Sequence, residues 1–397
     1  MAVVNVGDVI GGRYRLENVL GQGGMAVVYK GKNDGTLQSC AVKLILPYLA
    51  AQPGINARFV EESRVGSRIG ESPYIVRVTD AGVDERLGVA FLVMELLDGE
   101  TMANAIARGP MARALVATLV EQLGEALDQA HEHGVVHRDI KPSNLFLTVD
   151  RKKRPILKVM DFGIAKLLGD THKTATEVGT MAYAAPEQQG PQFRERARKR
   201  GAQIQNEISA QTDIWALGLV VYEMLTGASA GQYWGATTAG DIVVALYDAV
   251  AGMDPASLRA GEQKGLLPSR FDAWFERCVA MDSRKRWPTA GAACAELVKV
   301  LGQKSTFPPK PPVKPAPIVQ TSIAGLVETF DPQNAPAPPP PGPVVPRPVI
   351  TGPQTSIAGL VETFDPQNAP APLPQPARVA RPVFRGPPQT SIVDVIQ

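Results

Sequence analysis

The chain has 397 residues, a formal net charge of +2 and an ordinary globular composition over about its first 300 residues. A dedicated nucleic-acid binder would usually show a strong basic excess, so the near-neutral charge argues against that class of partner. The three cysteines show neither a metal-ligand spacing nor a disulfide framework, which favours a reducing compartment.

The hydropathy pattern indicates the cellular location of the protein. The first ten residues, MAVVNVGDVI, have no basic region and no long apolar core, so we expect no signal peptide. No run of about 18 apolar residues is present, so we expect no membrane anchor. The sequence therefore predicts a cytoplasmic protein that binds neither membranes nor nucleic acids.

The first hundred residues predict strands and one helix. Residues 13–48 are short apolar runs separated by turn residues, which is typical of strands. Residues 55–70 carry apolar side chains at helical spacing. Residues 89–97, VAFLVMELL, form an apolar run that predicts a buried strand.

Helical patterns dominate from about residue 101. Residues 112–134 predict a long amphipathic helix that ends at Gly134. Residues 214–227 are apolar nearly all round and predict a helix in the core. Strands followed by helices indicate an α+β fold, in which a small β-rich lobe lies on a larger helical lobe.

A glycine-rich turn and a lysine follow each other in the β-rich part. Gly21 and Gly23, in LGQGGMAVV, would let the backbone of a hairpin approach phosphate oxygens closely. Lys43 ends the strand segment CAVK, where its ammonium group can bind the α- and β-phosphates of a nucleotide. On the helix that follows, Glu62 is the favoured ion-pair partner of Lys43, and Glu61 is the alternative.

The segment HRDIKPSN, residues 137–144, carries the strongest chemical signal. Asp139 would accept the proton of a substrate hydroxyl, and Lys141 would stabilise the γ-phosphate. Asn144 would bind Mg²⁺, and Asp161 of the later DFG segment would chelate Mg²⁺ that bridges two phosphates. Phosphoryl transfer needs a phosphate cradle, metal ligands and a group that orients the attacking hydroxyl, and these motifs supply each in order.

This ordered set of motifs resembles the protein-kinase family over about residues 13–301, and looks most like the bacterial eukaryotic-type (Hanks-type) serine/threonine kinases. The resemblance is carried by LGQGGMAVVY, HRDIKPSNLFL, DFGIAK, GTMAYAAPEQ and DIWALGLVVYEMLTG. It implies the two-lobed protein-kinase fold, with an N-lobe over residues 13–97 and a C-lobe over residues 98–302. It also implies an enzyme that transfers the γ-phosphate of ATP, with Mg²⁺, to Ser or Thr of protein substrates.

The same resemblance implies a binding site for adenine. Met94 matches the gatekeeper position, and the backbones of Glu95 and Leu97 would form hydrogen bonds with the base. The side chains that the resemblance places around adenine are those of Leu20, Val28 and Ala41.

The resemblance further implies an activation segment from Asp161 to Glu187. Arg138 is typical of the subclass whose segment is ordered by phosphorylation, so we expect autophosphorylation to activate the chain. The candidate phosphorylation sites are Thr171, Thr174 and Thr176. Glu187 is expected to pair with Arg286, and Asp213 is expected to brace the catalytic loop.

Two stretches depart from the family pattern. Met181 and Ala184 stand where relatives usually have proline and methionine, which leaves the peptide preference open. A basic insertion, residues 192–207 with the sequence QFRERARKRGAQIQNE, lengthens the chain before Asp213. It is helix-compatible, and is either a solvated surface insertion or a docking patch for acidic substrate or partner segments.

Residues 303–397 form a tail that holds about two thirds of the 35 prolines and predicts disorder or polyproline II structure. Within it, QTSIAGLVETFDPQNAPAP occurs at 320–338 and again at 354–372, and a shortened copy closes the chain at 389–397. The copies are either a duplicated linker or segments that dock adaptor or kinase partners. Two alternatives to an active kinase remain, namely a pseudokinase scaffold and an adaptor whose tail does the main work.

Overall fold

The computed structural model describes residues 4–52, 54–63, 68–162 and 178–305. Within these residues, most strands lie in the first hundred residues of the chain and most helices follow them. The α+β architecture with a β-rich N-lobe and a helical C-lobe is therefore confirmed. Among the described helices, none is both long enough and apolar enough to cross a bilayer.

The N-lobe is built on one antiparallel sheet of six strands, in the spatial order β1-β2-β3-β4-β6-β5. The strands are β1 Val9–Ile10, β2 Tyr14–Gln22, β3 Ala26–Asn33, β4 Ser39–Ile45, β5 Val78–Asp84 and β6 Val89–Glu95. Strands β4 and β6 are buried along most of their length because they are central strands covered on both faces. This explains why residues 89–95 are a continuous apolar run in the sequence.

One face of the sheet is covered by the short helix α1 (Pro47–Ala50) and by α2 (Ile55–Ser63). Phe59 of α2 is buried in a cluster with Leu92 of β6. The side chain of Asn56 fixes the helix further, because its amide donates to the Gly88 carbonyl at 3.0 Å. The sequence predicted a helix to residue 70; residues 68 and 69 are helical, and residues 64–67 lie outside the described part of the chain.

The C-lobe contains the remaining helices. They are α3 Met102–Ile106, α4 Arg113–Glu132, α5 Val178–Met181, α6 Pro191–Lys199, α7 Ala210–Thr226, α8 Ala230–Trp234, α9 Ala239–Asp248, α10 Ala256–Arg259, α11 Phe271–Cys278 and α12 Ala290–Val300. Helix α7 is buried from Thr212 to Thr226, as its apolar sequence predicts, and ends at Gly227 with a left-handed φ of 72°. Helices α4 and α12 approach closely at Gly124, where a Cβ atom would lie 2.9 Å from the Cys294 sulfur.

A small antiparallel sheet within the helical lobe was not predicted from the sequence. Its strands are β7 Glu100–Thr101, β8 Leu145–Val149 and β9 Pro155–Val159. Leu145 pairs with Val159 across β8 and β9. Because Asn144 comes directly before β8 and Asp161 follows soon after β9, this hairpin brings the two predicted metal ligands to the same end of the sheet.

Candidate active site

The glycine-rich turn joins β2 to β3 and leaves its outer side open. Gly21 pairs with Val28, and the amide of Gly23 donates to the Ala26 carbonyl at 2.9 Å. A Cβ atom at Gly21 would meet no atom within 4 Å, and one at Gly23 would approach only Ala26, at 3.9 Å. Packing therefore does not demand glycine here, whereas close approach of a ligand to the backbone would. Leu20, predicted to cover the base, is half exposed.

An apolar cluster lies where the resemblance implies adenine. Ala41 of β4 pairs with Met94 of β6, and both side chains are buried together with Val76. The partly buried side chains packed against them are those of Val28, Leu96, Leu97 and Met160. The sequence predicted most of this group but not Val76, Leu96 and Met160. The position of Met160 directly before Asp161 was the one signal available for it.

Glu95, at the end of β6, is held by side-chain contacts that the sequence did not predict. Its carboxylate accepts the backbone amide of Arg77 at 2.9 Å and the ammonium group of Lys158 at 2.7 Å. Lys158 belongs to β9, so this ion pair joins the chain segment between the lobes to the small sheet of the C-lobe. The Glu95 side chain is thereby held in place at the end of β6.

The predicted phosphate lysine and the predicted metal ligand are in direct contact. Lys43 Nζ lies 2.6 Å from Asp161 Oδ1, although the two residues are 118 positions apart. Burial by itself would raise the pKa of the Asp161 carboxyl, but the charge and hydrogen bond of Lys43 outweigh burial and lower it. Asp161 is therefore ionised at neutral pH. The pairing of Glu62 with Lys43 stays a prediction, because the Glu62 side chain lies outside the part that the structure describes.

Asp139 is oriented by its neighbours in the catalytic loop. Asn144 Nδ2 donates to Asp139 Oδ2 at 2.9 Å and to the Asp139 carbonyl at 2.8 Å, and Lys141 Nζ lies 3.0 Å from the same Oδ2. These contacts leave Asp139 Oδ1 as the oxygen that can accept a proton from an incoming hydroxyl. Lys141 also donates to the hydroxyl of Thr180 at 2.9 Å.

His137 ties the catalytic loop to the segment that carries Asp161. Its Nδ1 accepts the amide of Asp139 at 3.2 Å, so its Nε2 carries the proton and donates to the Met160 carbonyl at 2.7 Å. Asp161 has a left-handed φ of 62°, a conformation that costs about 1 kcal/mol or more in a residue other than glycine. The surrounding contacts hold Asp161 in this conformation.

Asp213 braces the catalytic loop from the first turn of α7, as the resemblance implied. Its carboxylate accepts the backbone amides of His137 and Arg138 at 2.9 and 2.8 Å. It also accepts His131 Nε2 of α4 at 2.8 Å, a partner that the sequence did not indicate. Burial favours a raised pKa for Asp213, but the bond to His131 and the other donors lower it overall.

The predicted pair of Glu187 and Arg286 is confirmed. The guanidinium group of Arg286 donates to Glu187 Oε1 at 2.6 Å and to Glu187 Oε2 at 3.0 Å. Both side chains are almost completely buried. Thr212 of α7 donates to the same carboxylate at 2.9 Å. Nearby, the hydroxyl of Tyr183 donates to the buried carboxylate of Glu223, which anchors residues 182–185 to α7.

The first half of the basic insertion forms helix α6, as its helix-compatible sequence predicts, and this helix is packed against the lobe rather than fully solvated. Phe193 and Ala197 are buried on one side of it, and the Phe193 ring lies 4.6 Å from the ring of Tyr247 on α9. Arg194 donates to the Glu187 carbonyl at 2.9 Å. The segment is thus fixed to the helical lobe, next to the region that contacts the catalytic loop.

Several predicted sites lie outside the described part of the chain. They are the candidate phosphorylation sites Thr171, Thr174 and Thr176, and the three tail repeats at 320–338, 354–372 and 389–397. The predictions made for them stay predictions.

The protein kinase domain family model matches residues 14–296 of the chain. The chain belongs to the protein kinase family. Serine/threonine-protein kinase PknH of Mycobacterium tuberculosis is 32% identical over 332 residues, which are 79% of this chain and 48% of PknH. PknB of Mycolicibacterium smegmatis is 30% identical over 305 residues, or 75% of this chain and 44% of PknB. The resemblance to bacterial serine/threonine kinases is thereby confirmed.

The kinase fold also agrees with a solved structure. The crystal structure of the PknI kinase domain of Mycobacterium tuberculosis superposes with a TM-score of 0.54 at 22% identity. The match covers 75% of this chain and 100% of that one. The chain spans about half the length of the curated kinases it matches.

Proposed function

We propose that the chain is an active serine/threonine protein kinase that transfers the γ-phosphate of ATP to hydroxyl groups of protein substrates. The observation that carries the proposal is the contact between Lys43 of one lobe and Asp161 of the other, next to an oriented Asp139. A pseudokinase scaffold would have no need of all three side chains in this arrangement.

The residues present fit ATP and Mg²⁺. The open glycine turn and Lys43 would hold phosphates, and the apolar cluster around Ala41 and Met94 would hold adenine. Mg²⁺ usually takes one or two protein oxygens and completes its shell with phosphates and water. Asp161 is ionised, and Asn144 uses its amide nitrogen on Asp139, which leaves its amide oxygen for a cation. When bound, Mg²⁺ neutralises charge on the phosphate oxygens.

The remaining chemistry falls to residues of the catalytic loop. Asp139 Oδ1 would accept a hydrogen bond from the substrate hydroxyl and so orient the oxygen for attack, and would then take up its proton. Lys141 would place a positive charge beside the same carboxylate and beside the transferred phosphoryl group. Its contact with Thr180 keeps this ammonium group in place while the substrate binds.

The choice of Ser and Thr over Tyr is tested with degenerate peptide pools. Each pool contains one acceptor residue, either Ser, Thr or Tyr, and transfer from γ-labelled ATP with Mg²⁺ is measured for the purified chain. The Ser and Thr pools are expected to be labelled and the Tyr pool is not. Labelling of the Tyr pool alone would contradict the proposal.

Autophosphorylation of the activation segment is proposed as the activating step. It is supported by Arg138, directly before Asp139, whose guanidinium group would form charge-assisted hydrogen bonds with a phosphate on that segment. A variant with Thr171, Thr174 and Thr176 all changed to Ala is expected to phosphorylate the Ser and Thr pools more slowly than wild type. An unchanged rate would contradict this step.

Tail docking and a cytoplasmic location complete the proposal. The apolar spacing Ile323, Leu326 and Val327 supports docking of the repeats into grooves of adaptor or kinase partners. Three free, buried cysteines support a reducing compartment. The full chain with Leu326→Asp and Leu360→Asp is expected to lose protein partners that wild type retains. If both proteins bind the same partners, the repeats are a duplicated linker.

A further inference from the structure

The outer side of helix α6 carries a concentration of positive charge. Residues 191–207 contain five cationic and two anionic side chains, a net charge of +3, in a chain whose total is only +2. Arg196, Arg198, Lys199 and Arg200 are exposed. We call these four side chains the α6 basic face.

The internal contacts of these cations do little to neutralise them. Arg198 donates to the Ile204 carbonyl and to the amide oxygen of Asn206, both at 2.6 Å. Arg200 lies over the ring of Tyr247, 5.2 Å from its centroid. These acceptors are uncharged. In the described part of the chain, the one carboxylate among the partners is Glu195, which makes a highly exposed pair with Lys199, and such pairs contribute little.

The basic face is held rigidly. Phe193 and Ala197 anchor α6 in the lobe, and Arg198 fixes the loop that follows it. Because the helix is ordered before any partner arrives, a ligand need not supply the free energy of ordering it. A plain solvated insertion would need neither the buried Phe193 nor these internal bonds.

The basic face also lies close to the reaction centre. The amide of Gln188 donates to the Arg138 carbonyl at 2.7 Å, so residue 188 is in contact with the catalytic loop. Gln188 lies three residues before the start of α6 at Pro191, and Arg196 lies five residues into the helix. At about 3.5 Å for each residue before the helix and 1.5 Å for each residue within it, Arg196 lies within about 20 Å of that loop. An extended peptide covers this span with about six residues.

We propose that the α6 basic face binds an acidic segment of the protein substrate, about six residues away from the Ser or Thr that is phosphorylated. This inference rests on the kinase activity proposed above and assigns to it a class of substrate. Carboxylates are the complement of this face because its four cations are exposed and outnumber Glu195, the carboxylate that pairs with Lys199. The contact lies outside the catalytic groups, so it selects substrates without taking part in the chemistry.

The test is a change of Arg196→Gln together with Lys199→Gln in the full chain. These two side chains are chosen because Arg194, Arg198 and Arg200 contact the backbone or ring groups that hold α6 in place. The matched control is Arg151→Gln with Lys152→Gln, an exposed Arg and Lys in the turn between β8 and β9. Both variants lose two positive charges.

The substrates are degenerate Ser/Thr peptides with a block of four glutamates about six residues from the acceptor, beside the same peptides with four glutamines. The α6 variant is expected to lose about threefold or more in kcat/KM on the Glu peptides, and to keep the wild-type value on the Gln peptides. The loss is expected to disappear in about 0.5 M salt, because screening removes interactions between exposed charges. The control variant is expected to keep both values.

Four results would overturn the assignment. An equal loss on Glu and Gln peptides would show that the change acts on the catalytic lobe itself. No loss on either, or the same loss in the control variant, would show that this face selects nothing. Loss of duplex DNA binding by the α6 variant with unchanged peptide kinetics would assign the face to nucleic acid. Failure of wild type to phosphorylate any peptide would instead count against the kinase activity.

Discussion

Lys43 belongs to the N-lobe and Asp161 to the C-lobe, and the 2.6 Å contact between them orients both side chains. Changing Lys43→Met or Asp161→Ala is expected to lower turnover by on the order of 10²-fold or more, because each change removes a charged group that would bind the phosphates or Mg²⁺. Thermal unfolding is expected to stay cooperative in both variants. Activity of either variant within a few-fold of wild type would contradict the roles assigned to these residues.

The ion pair of Lys158 with Glu95 makes a separate prediction about nucleotide binding. Lys158→Met removes the cation that fixes the Glu95 side chain, and the backbone that would bind adenine loses a support. The KM for ATP is expected to rise about threefold to tenfold, with little change in kcat. Lys152→Met, on the same hairpin but exposed, is the control. Equal KM values for the two variants would show that the pair has no such role.

Residues with a specific chemical group in a short motif could be predicted from the sequence. Asp139, Asn144 and Asp161 each stand in a segment whose letters point to one reaction. Val76 and Lys158 could not be predicted, because an ordinary valine and lysine acquire their roles only from the strands and bridges that bring them to the cluster and to Glu95. A short sequence segment does not indicate contacts that depend on how distant strands pair with each other.

Helix α7 acts as the support of the catalytic loop, and Asp213 is the point of contact. Asp213→Asn would replace an oxygen that accepts hydrogen bonds with an amide that donates them, opposite amides that also donate. The expected loss is about 2–4 kcal/mol in the free energy of unfolding at pH 7, with a fall in kcat. Asp248→Asn, at an exposed position on α9, is the control and is expected to be neutral.

The effect of Asp213 is also expected to depend on pH. Its pKa is lowered in the folded protein, so its stabilisation is complete above the unfolded value of about 3.9 and is lost as the pH falls through the lower folded value. The stability difference between wild type and Asp213→Asn, measured by urea unfolding, should therefore be constant from pH 7 to about 5 and shrink below about 4. A difference that grows on acidification would contradict the assignment.

Elements with long, strong periodicity were predictable, and short ones were not. Helix α7 and strand β6 are apolar over most of their lengths because they are buried all round. Strands β8 and β9 have only five residues each and lie inside a lobe of helices. Their pairing is decided by tertiary context, which a five-residue pattern does not carry.

At the scale of the whole molecule, the order of strands and helices was sufficient to predict two lobes. It could not predict that α6 would be anchored by Phe193 against Tyr247, because an isolated aromatic in a basic segment has no visible partner in the sequence. Among the described residues, two ion pairs join the lobes, Lys43 with Asp161 and Glu95 with Lys158. Activity should therefore be lost through these contacts before the fold is.

The kinase activity is tested by mass spectrometry of the full chain and a Ser/Thr peptide pool, incubated together with Mg²⁺ and ATP. Wild type is expected to add phosphoryl groups to Ser and Thr, and Asp139→Asn, prepared in parallel and equally folded, is expected to add none above background. Asp139→Asn keeps the size of the side chain but removes the carboxylate that accepts the hydroxyl proton. Equal phosphorylation by the two proteins, or none by wild type, would contradict the account.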